Sequence, residues 1–78
     1  MTYEIIIKTY EREYTERKYG AVETFNRIVE IVKCDNVQVV EIMDTQTGAI
    51  MLEIVDKAVV WLDVDYPVLM VNEIFSRN

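Results

Sequence analysis

The spacing of apolar residues changes twice along the chain, and each change marks a different element. The segment from Tyr3 to Tyr10 is rich in β-branched and aromatic residues, with Tyr3, Ile5 and Ile7 on one face, which predicts a first β-strand. From Ala21 to Lys33 the apolar residues recur at helical spacing, which predicts an amphipathic helix. Gly20 suits the N-cap of that helix, and Glu23 lies near the positive end of its dipole.

The stretch from Glu11 to Lys18 alternates acidic and basic side chains around Tyr14 and contains no apolar run. It could extend the first strand or form a solvated loop before the helix. We favour an extended arm.

The second half of the chain has the pattern of an antiparallel meander. Strands are expected over Val37 to Met43, Ala49 to Val55 and Ala58 to Val64. The segment Asp44 to Gly48 is predicted to form a hairpin loop. Gly48 is expected to take a positive φ, and the Asp44 side chain is expected to accept hydrogen bonds from loop amides. Asp56 and Lys57 form the next connection, so two successive hairpins are expected.

Pro67 ends the last predicted strand, and the residues after it allow either a helix with Pro67 in its first position or an edge strand. We favour the helix. Twelve valines and nine isoleucines against three leucines also favour a sheet over a helix bundle. Residues 1 to 78 are therefore predicted to form a single α+β domain. Its antiparallel sheet has about four strands in the order β-α-β-β-β, with one main helix on one face.

The second face of that sheet needs a cover. Ile5 and Ile6 are adjacent apolar residues, as are Val39 and Val40, and adjacent strand residues point to opposite faces. One helix of this length covers one face only. The cover is then either the C-terminal segment or the sheet of a second copy, and we expect a homodimer.

The net charge of −6 comes entirely from the residues after Lys33, which hold eight acidic and two basic side chains. A surface of this kind repels nucleic acid and anionic lipid, so we expect neither direct nucleic-acid binding nor membrane binding. A basic protein is the expected partner. The acidic surface is predicted to comprise Asp44, Glu53, Asp56, Asp63 and Asp65.

Few side chains suited to catalysis are present. The chain has no histidine and a single cysteine, Cys34, so a Cys/His zinc site and an intrachain disulfide are excluded. Asp63 and Asp65 share one side of a strand and, with Glu53 or Asp56, could hold magnesium. Carboxylates at strand ends more commonly prevent edge pairing, and we predict no enzyme activity, no metal and no cofactor.

Tyrosine, tryptophan and arginine are frequent anchors of protein interfaces. The predicted interface residues are Tyr10, Arg12, Tyr14, Arg17, Tyr19 and Trp61. The leading hypothesis is a small acidic, non-enzymatic protein that binds another protein and itself. Met1 is followed at once by strand-like sequence rather than a signal peptide, and a cytoplasmic location is expected.

In size and charge the chain resembles small accessory proteins of phages and mobile elements. That resemblance implies an inhibitor that occupies a basic site on a nucleic-acid-binding or host-defence protein. Two alternatives remain open: a regulatory module that binds a small ligand between helix and sheet or at a dimer interface, and a minimal metal-dependent enzyme.

Overall fold

The computed structural model describes residues 1–76 and contains a five-stranded antiparallel sheet with two helices. The elements in chain order are β1 (Thr2–Thr9), β2 (Glu13–Tyr19), α1 (Ala21–Ile31), β3 (Val37–Asp44), β4 (Ile50–Val55), β5 (Ala58–Leu62) and α2 (Asp65–Ser76). The strands lie in the order β2-β1-β3-β4-β5. The α+β fold and its main helix are therefore confirmed, with five strands where about four were predicted.

The additional strand is β2: the stretch is extended, as predicted, but it pairs with β1 as a separate strand of the sheet instead of forming an arm. β2 pairs with β1 along its whole length, from Lys8 opposite Glu13 to Thr2 opposite Tyr19. Thr9 closes the hairpin, because its backbone N–H donates to the Arg12 carbonyl at 2.8 Å. The strand lies at the sheet edge and alternates between exposed and half-buried side chains, so it lacks the apolar run by which strands are usually recognised.

The core lies on one face of the sheet. Directly paired residues of β1, β3 and β4, such as Ile5, Ile42 and Leu52, share that face and are buried. α1 packs on it, as its helical spacing predicts, and buries Ile28 and Ile31. We refer to this side as the helix face.

α2 confirms the predicted C-terminal helix but begins two residues before Pro67. Asp63 Oδ1 accepts the backbone N–H of Asp65 at 2.9 Å, and Pro67 then occupies the first turn, where its missing N–H costs nothing. α2 contacts α1 and β4, and the buried Tyr66 ring meets Tyr3 edge-on at 5.7 Å. Both helices therefore lie on the helix face, and no described element covers the opposite face.

Both predicted hairpin turns are confirmed. Gly48 has φ of 75°, and Asp44 Oδ1 accepts the N–H of Gln46 at 2.8 Å. Asp56 and Lys57 have φ of 49° and 66°, the left-handed pair that a two-residue hairpin turn requires. This second turn returns the chain along β4 and makes β5 the last strand of the sheet.

Candidate interaction surface

β5 is an apolar edge strand with nothing described beside its outer edge. It pairs only with β4, and its sequence from Ala58 to Leu62 contains no charged or polar side chain. All five of its residues are exposed, and the four large ones keep 45–60% of their surface accessible. An edge strand has unpaired backbone N–H and C=O groups along its outer side, so β5 combines open hydrogen-bonding groups with apolar side chains.

The opposite edge of the sheet is different. β2 carries charged residues along its length, and its Glu16 forms a bidentate ion pair with Arg27 of α1 at 2.8 and 2.9 Å. On the open face Lys8 lies 3.6 Å from Glu13. Charged side chains on an edge oppose pairing with another strand. Of the two edges, β5 is therefore the one suited to contact another chain.

α2 places apolar residues on the side that faces away from the protein. Tyr66, Leu69, Met70 and Glu73 form its buried or half-buried side. The other side consists of Val68, Val71, Ile74 and Phe75, which lie at i, i+3, i+6 and i+7 and are 49–71% exposed. A helix that is apolar all round is usually buried in a larger assembly.

We use the term β5–α2 set for the large exposed apolar residues of these two elements and the turn between them. The set comprises Val59, Val60, Trp61, Leu62, Val64, Val68, Val71, Ile74 and Phe75. With exposures of 45–79%, these nine residues together present an area on the order of 900 Å², distributed over β5 and the outer side of α2.

Two contacts from α2 hold it against the beginning of α1. The Tyr66 hydroxyl donates to the Ala21 carbonyl at 2.8 Å. The Glu73 carboxylate accepts the backbone N–H groups of Ala21 and Val22, each at 2.9 Å. These hydrogen bonds fix the inner side of α2, so its outer, apolar side is held in an exposed position.

Burial raises the pKa of both core tyrosines. For Tyr66 the other contributions come from Tyr3 and Glu73, and for Tyr3 from the carboxylates of Asp44 and Glu73. Both phenols are therefore neutral near pH 7, which suits the Tyr66 hydroxyl as a hydrogen-bond donor. At the β2 edge, the hydrogen bonds from Arg27 lower the pKa of Glu16. These shifts belong to structural contacts, and none creates a pair of groups poised for proton transfer.

The predicted interface residues divide between the two edges of the sheet. Tyr10, Arg12, Tyr14, Arg17 and Tyr19 lie at the β2 edge and its turn, whereas Trp61 lies in β5. Tyr14 is half-buried against the core, with the Arg12 guanidinium 4.5 Å from its ring centre. Tyr10 and Tyr19 are exposed at opposite ends of the hairpin. These tyrosines therefore do not form one compact surface with Trp61.

Trp61 is the predicted interface residue that the structure places in the β5–α2 set. Its indole N–H donates to the Ile50 carbonyl at 3.2 Å, which holds the ring across β4. Trp61 pairs with Glu53, and Glu53 in turn pairs with Glu41 of β3. The ring therefore lies on the open face of the sheet, beside two carboxylates.

The predicted acidic surface is also divided. Asp44, Asp63 and Asp65 line one groove of about 370 Å³ between the β3–β4 loop and α2, together with apolar residues such as Met51 and Leu69. Asp44 is only 5% exposed because it caps its own loop, so it adds little to an exposed acidic surface. Glu53 belongs to the open face, and Asp56 lies in the β4–β5 turn.

The two alternatives, a metal-dependent enzyme and a ligand-binding module, gain no specific support from the geometry of the described residues. Across residues 1–76, no group of three or more Asp, Glu, Cys or His side chains is arranged to hold a metal ion. Asp63 and Asp65 are bridged by a hydrogen bond within the turn that starts α2. The ligand pocket was predicted between helix and sheet or at a dimer interface, and the groove beside these carboxylates lies between α2 and the β3–β4 hairpin.

Within the described residues, neither helix is both long and apolar enough to cross a membrane. Comparison with protein-family models, with curated proteins and with solved structures finds no match for this chain.

Sequence reasoning identified Trp61 but missed the rest of the β5–α2 set. The signal was present in the run Ala58 to Leu62, which lacks the polar alternation of a strand with one solvated face. A second signal was the density of apolar residues after Pro67, too many for one side of a short helix.

Proposed function

We propose that this chain is a non-enzymatic protein-interaction module that acts by docking through the β5–α2 set. The observation that supports this most strongly is the apolar edge strand β5, all of whose residues are exposed. Exposed apolar area of this extent, combined with an unpaired strand edge, is characteristic of a surface that another protein covers.

The chemistry of the partner follows from the charges around that set. Asp63 lies between β5 and α2, Asp65 begins α2, and Glu53 and Glu41 lie beside Trp61 on the open face. A heterologous partner would therefore be basic around an apolar centre, and its association should slow as salt screens these carboxylates. An inhibitor of a nucleic-acid-binding or host-defence protein, acting in the cytoplasm, is the specific form of this proposal.

A photo-crosslinking amino acid at position 60 tests the proposal in cells that make the protein. The matched control carries the same amino acid at Thr15, an exposed position in β2. We expect a covalent protein adduct from position 60 and none from position 15. A Val59→Lys substitution in the same chain should reduce the adduct, because it places an unpaired charge within the interface.

Two results would contradict the proposal. One is equal labelling from positions 60 and 15, and the other is an adduct from position 60 that Val59→Lys leaves unchanged. Mass spectrometry of the adduct would show whether the captured protein is a second copy or a different chain.

A further inference from the structure

We infer that the occupant of the β5 edge is a second copy of this chain, paired antiparallel through β5 about a two-fold axis to form one continuous ten-stranded sheet. This inference depends on the proposed docking role of β5 and names its partner. Three features of the edge support it: its charge, its register and the area it offers.

Of the two edges of the sheet, the charge pattern favours self-pairing at β5 and opposes it at β2. Two copies of β5 bring no like charges together between Ala58 and Leu62, because the strand has none. Two copies of β2 would place several charged residues in the contact, and Glu16 is already paired with Arg27 of its own helix α1. A chain of net charge −6 can self-associate most easily where that charge is absent.

The faces of β5 select one register. Val59 pairs with Ile54, and Leu62 pairs with Leu52, so both lie on the helix face, although they are three residues apart. The register irregularity opposite Glu53 and Ile54 accounts for this odd spacing, because it leaves Val60 as an extra residue. Directly paired residues must share a face, and the inferred register, with Val59 of one copy opposite the partner subunit's Leu62, meets this requirement at both positions.

This register also brings opposite charges together at the ends of the contact. An antiparallel arrangement sets the beginning of one β5 beside the end of the other. Ala58 then lies opposite the partner subunit's Asp63, which places that carboxylate one position from Lys57, whose ammonium also lies 3.2 Å from Asp35 of its own chain. The two-fold axis repeats this arrangement. A parallel arrangement would instead bring the two Lys57 residues together.

The helices are compatible with this assembly. α2 contacts β4 on the helix face, and a two-fold axis perpendicular to the sheet keeps both α2 helices on that same side. With strands about 5 Å apart, two β5 strands would separate the two β4 strands by roughly 15 Å. Val59 and Leu62 of both copies would fill the space between the helices. The contact would cover exposed apolar area of Val59, Val60, Trp61 and Leu62, whereas the outer side of α2 faces away from it.

Sedimentation equilibrium of the full chain tests self-association directly. We expect a concentration-dependent dimer whose dissociation constant rises by about tenfold or more in Val59→Lys. Thr15→Lys, on the opposite edge, is the control and should leave it unchanged. Circular dichroism of the Lys variants should match the parent, because positions 59 and 15 are exposed.

Disulfide trapping tests the register. Cys34 is exposed and is first replaced by serine. Chains with Val59→Cys and chains with Leu62→Cys are then mixed under mild oxidation. The mixture should yield a covalent heterodimer, and a mixture of Val59→Cys with Thr15→Cys should not.

These experiments distinguish failure of the inferred dimer from failure of the proposed docking function. A chain that stays monomeric, while position 60 still crosslinks to a different protein, overturns the inference and leaves the docking role standing. A monomer with no adduct at position 60 overturns both. A dimer that is unaffected by Val59→Lys and gives no 59–62 crosslink places self-association elsewhere and also overturns the inference.

Discussion

Glu73, near the end of α2, caps the beginning of α1 by accepting the backbone N–H of Ala21 at 2.9 Å. Its second carboxylate oxygen accepts the N–H of Val22 at the same distance. Gly20, at the N-cap, has no side chain with which to satisfy these donors. The first turn of α1 is therefore completed by a residue 52 positions later, and its negative charge lies at the positive end of the helix dipole.

Glu73→Ala should lower the free energy of unfolding by about 1–2 kcal/mol, since it removes a charged cap from α1. Urea unfolding followed by circular dichroism measures the change. Asn72→Ala, at an exposed neighbouring position of α2, is the control for helix propensity. Equal stabilities of the two variants would show that the cap contributes nothing.

Gly20→Ala tests the same contact from the other side. An added Cβ would lie 2.5 Å from Glu73 Oε1, and the backbone φ of 81° is strained for any other residue. Gly48 has a similar φ of 75°, but a Cβ there would meet nothing within 4 Å. Each substitution should destabilise the protein by about 1 kcal/mol from backbone strain alone, and Gly20→Ala should cost more.

The additional loss of stability in Gly20→Ala, compared with Gly48→Ala, should depend on Glu73. In a Glu73→Ala background the two glycine substitutions should become nearly equal, because the clash has gone while the backbone strain remains. If Gly20→Ala still costs more in that background, the excess arises from α1 itself.

Local patterns in the sequence were sufficient to predict α1, the two later hairpins and the C-terminal helix. Each depends on the periodicity or turn chemistry of a short segment, such as Gly48 in its loop. The cap on α1 could not be predicted in this way, because Gly20 and Glu73 are far apart in sequence. β2 was missed for a related reason: its strand character depends on pairing with β1.

Lys57→Gly should stabilise the protein by about 0.5–1 kcal/mol. Lys57 has φ of 66°, and a left-handed backbone is less costly for glycine than for a residue with a Cβ. The substitution also removes the ion pair of Lys57 with Asp35 at 3.2 Å, which contributes little because both groups are exposed. Thermal unfolding measures the net change in stability from the relieved backbone strain and the lost ion pair.

Lys57→Ala is the matched control, since it removes the same ion pair but keeps the Cβ. It should be no more stable than the parent. A Lys57→Gly variant that is also no more stable would mean that the turn carries little strain.

Glu53→Lys should raise the free energy of unfolding by about 0.2–1 kcal/mol. Glu53 lies directly opposite Glu41 on the open face, and Glu41 also lies 3.7 Å from Lys8. The substitution replaces repulsion between like charges with attraction. Glu53→Gln, which removes only the repulsion, should be intermediate, and high salt should reduce all differences. The prediction fails if Glu53→Lys is no more stable than Glu53→Gln.

The candidate surface was harder to predict than the fold because exposure depends on what covers a residue. Trp61 could be selected by its residue type, but Val60 and Val68 are ordinary core residues by type. Their exposure follows from two tertiary facts: β5 is the last strand, and α2 turns its inner side toward α1. In β2 the opposite error occurs. Tyrosine is a residue type common in interfaces, but Tyr14 packs on the core.

The buried Tyr66 should make stability fall at alkaline pH. Burial raises its pKa above that of an exposed phenol, so the folded state holds the proton more tightly than the unfolded state. The stabilisation is fully present below about pH 10, the unfolded pKa, and is lost as pH rises toward the folded pKa. Tyr3, also buried with a raised pKa, acts in the same direction.

Tyr66→Phe should therefore have two effects that unfolding experiments at pH 8 and pH 11 can separate. At pH 8 it should cost about 1 kcal/mol, because the Ala21 carbonyl loses the hydroxyl that donates to it at 2.8 Å. Between the two pH values it should lose less stability than the parent, since one of the two buried phenols no longer ionises. Tyr10→Phe, at an exposed position, is the matched control for removal of a tyrosine hydroxyl and should retain the parent's pH dependence. If Tyr66→Phe retains it too, ionisation of this phenol does not couple to folding.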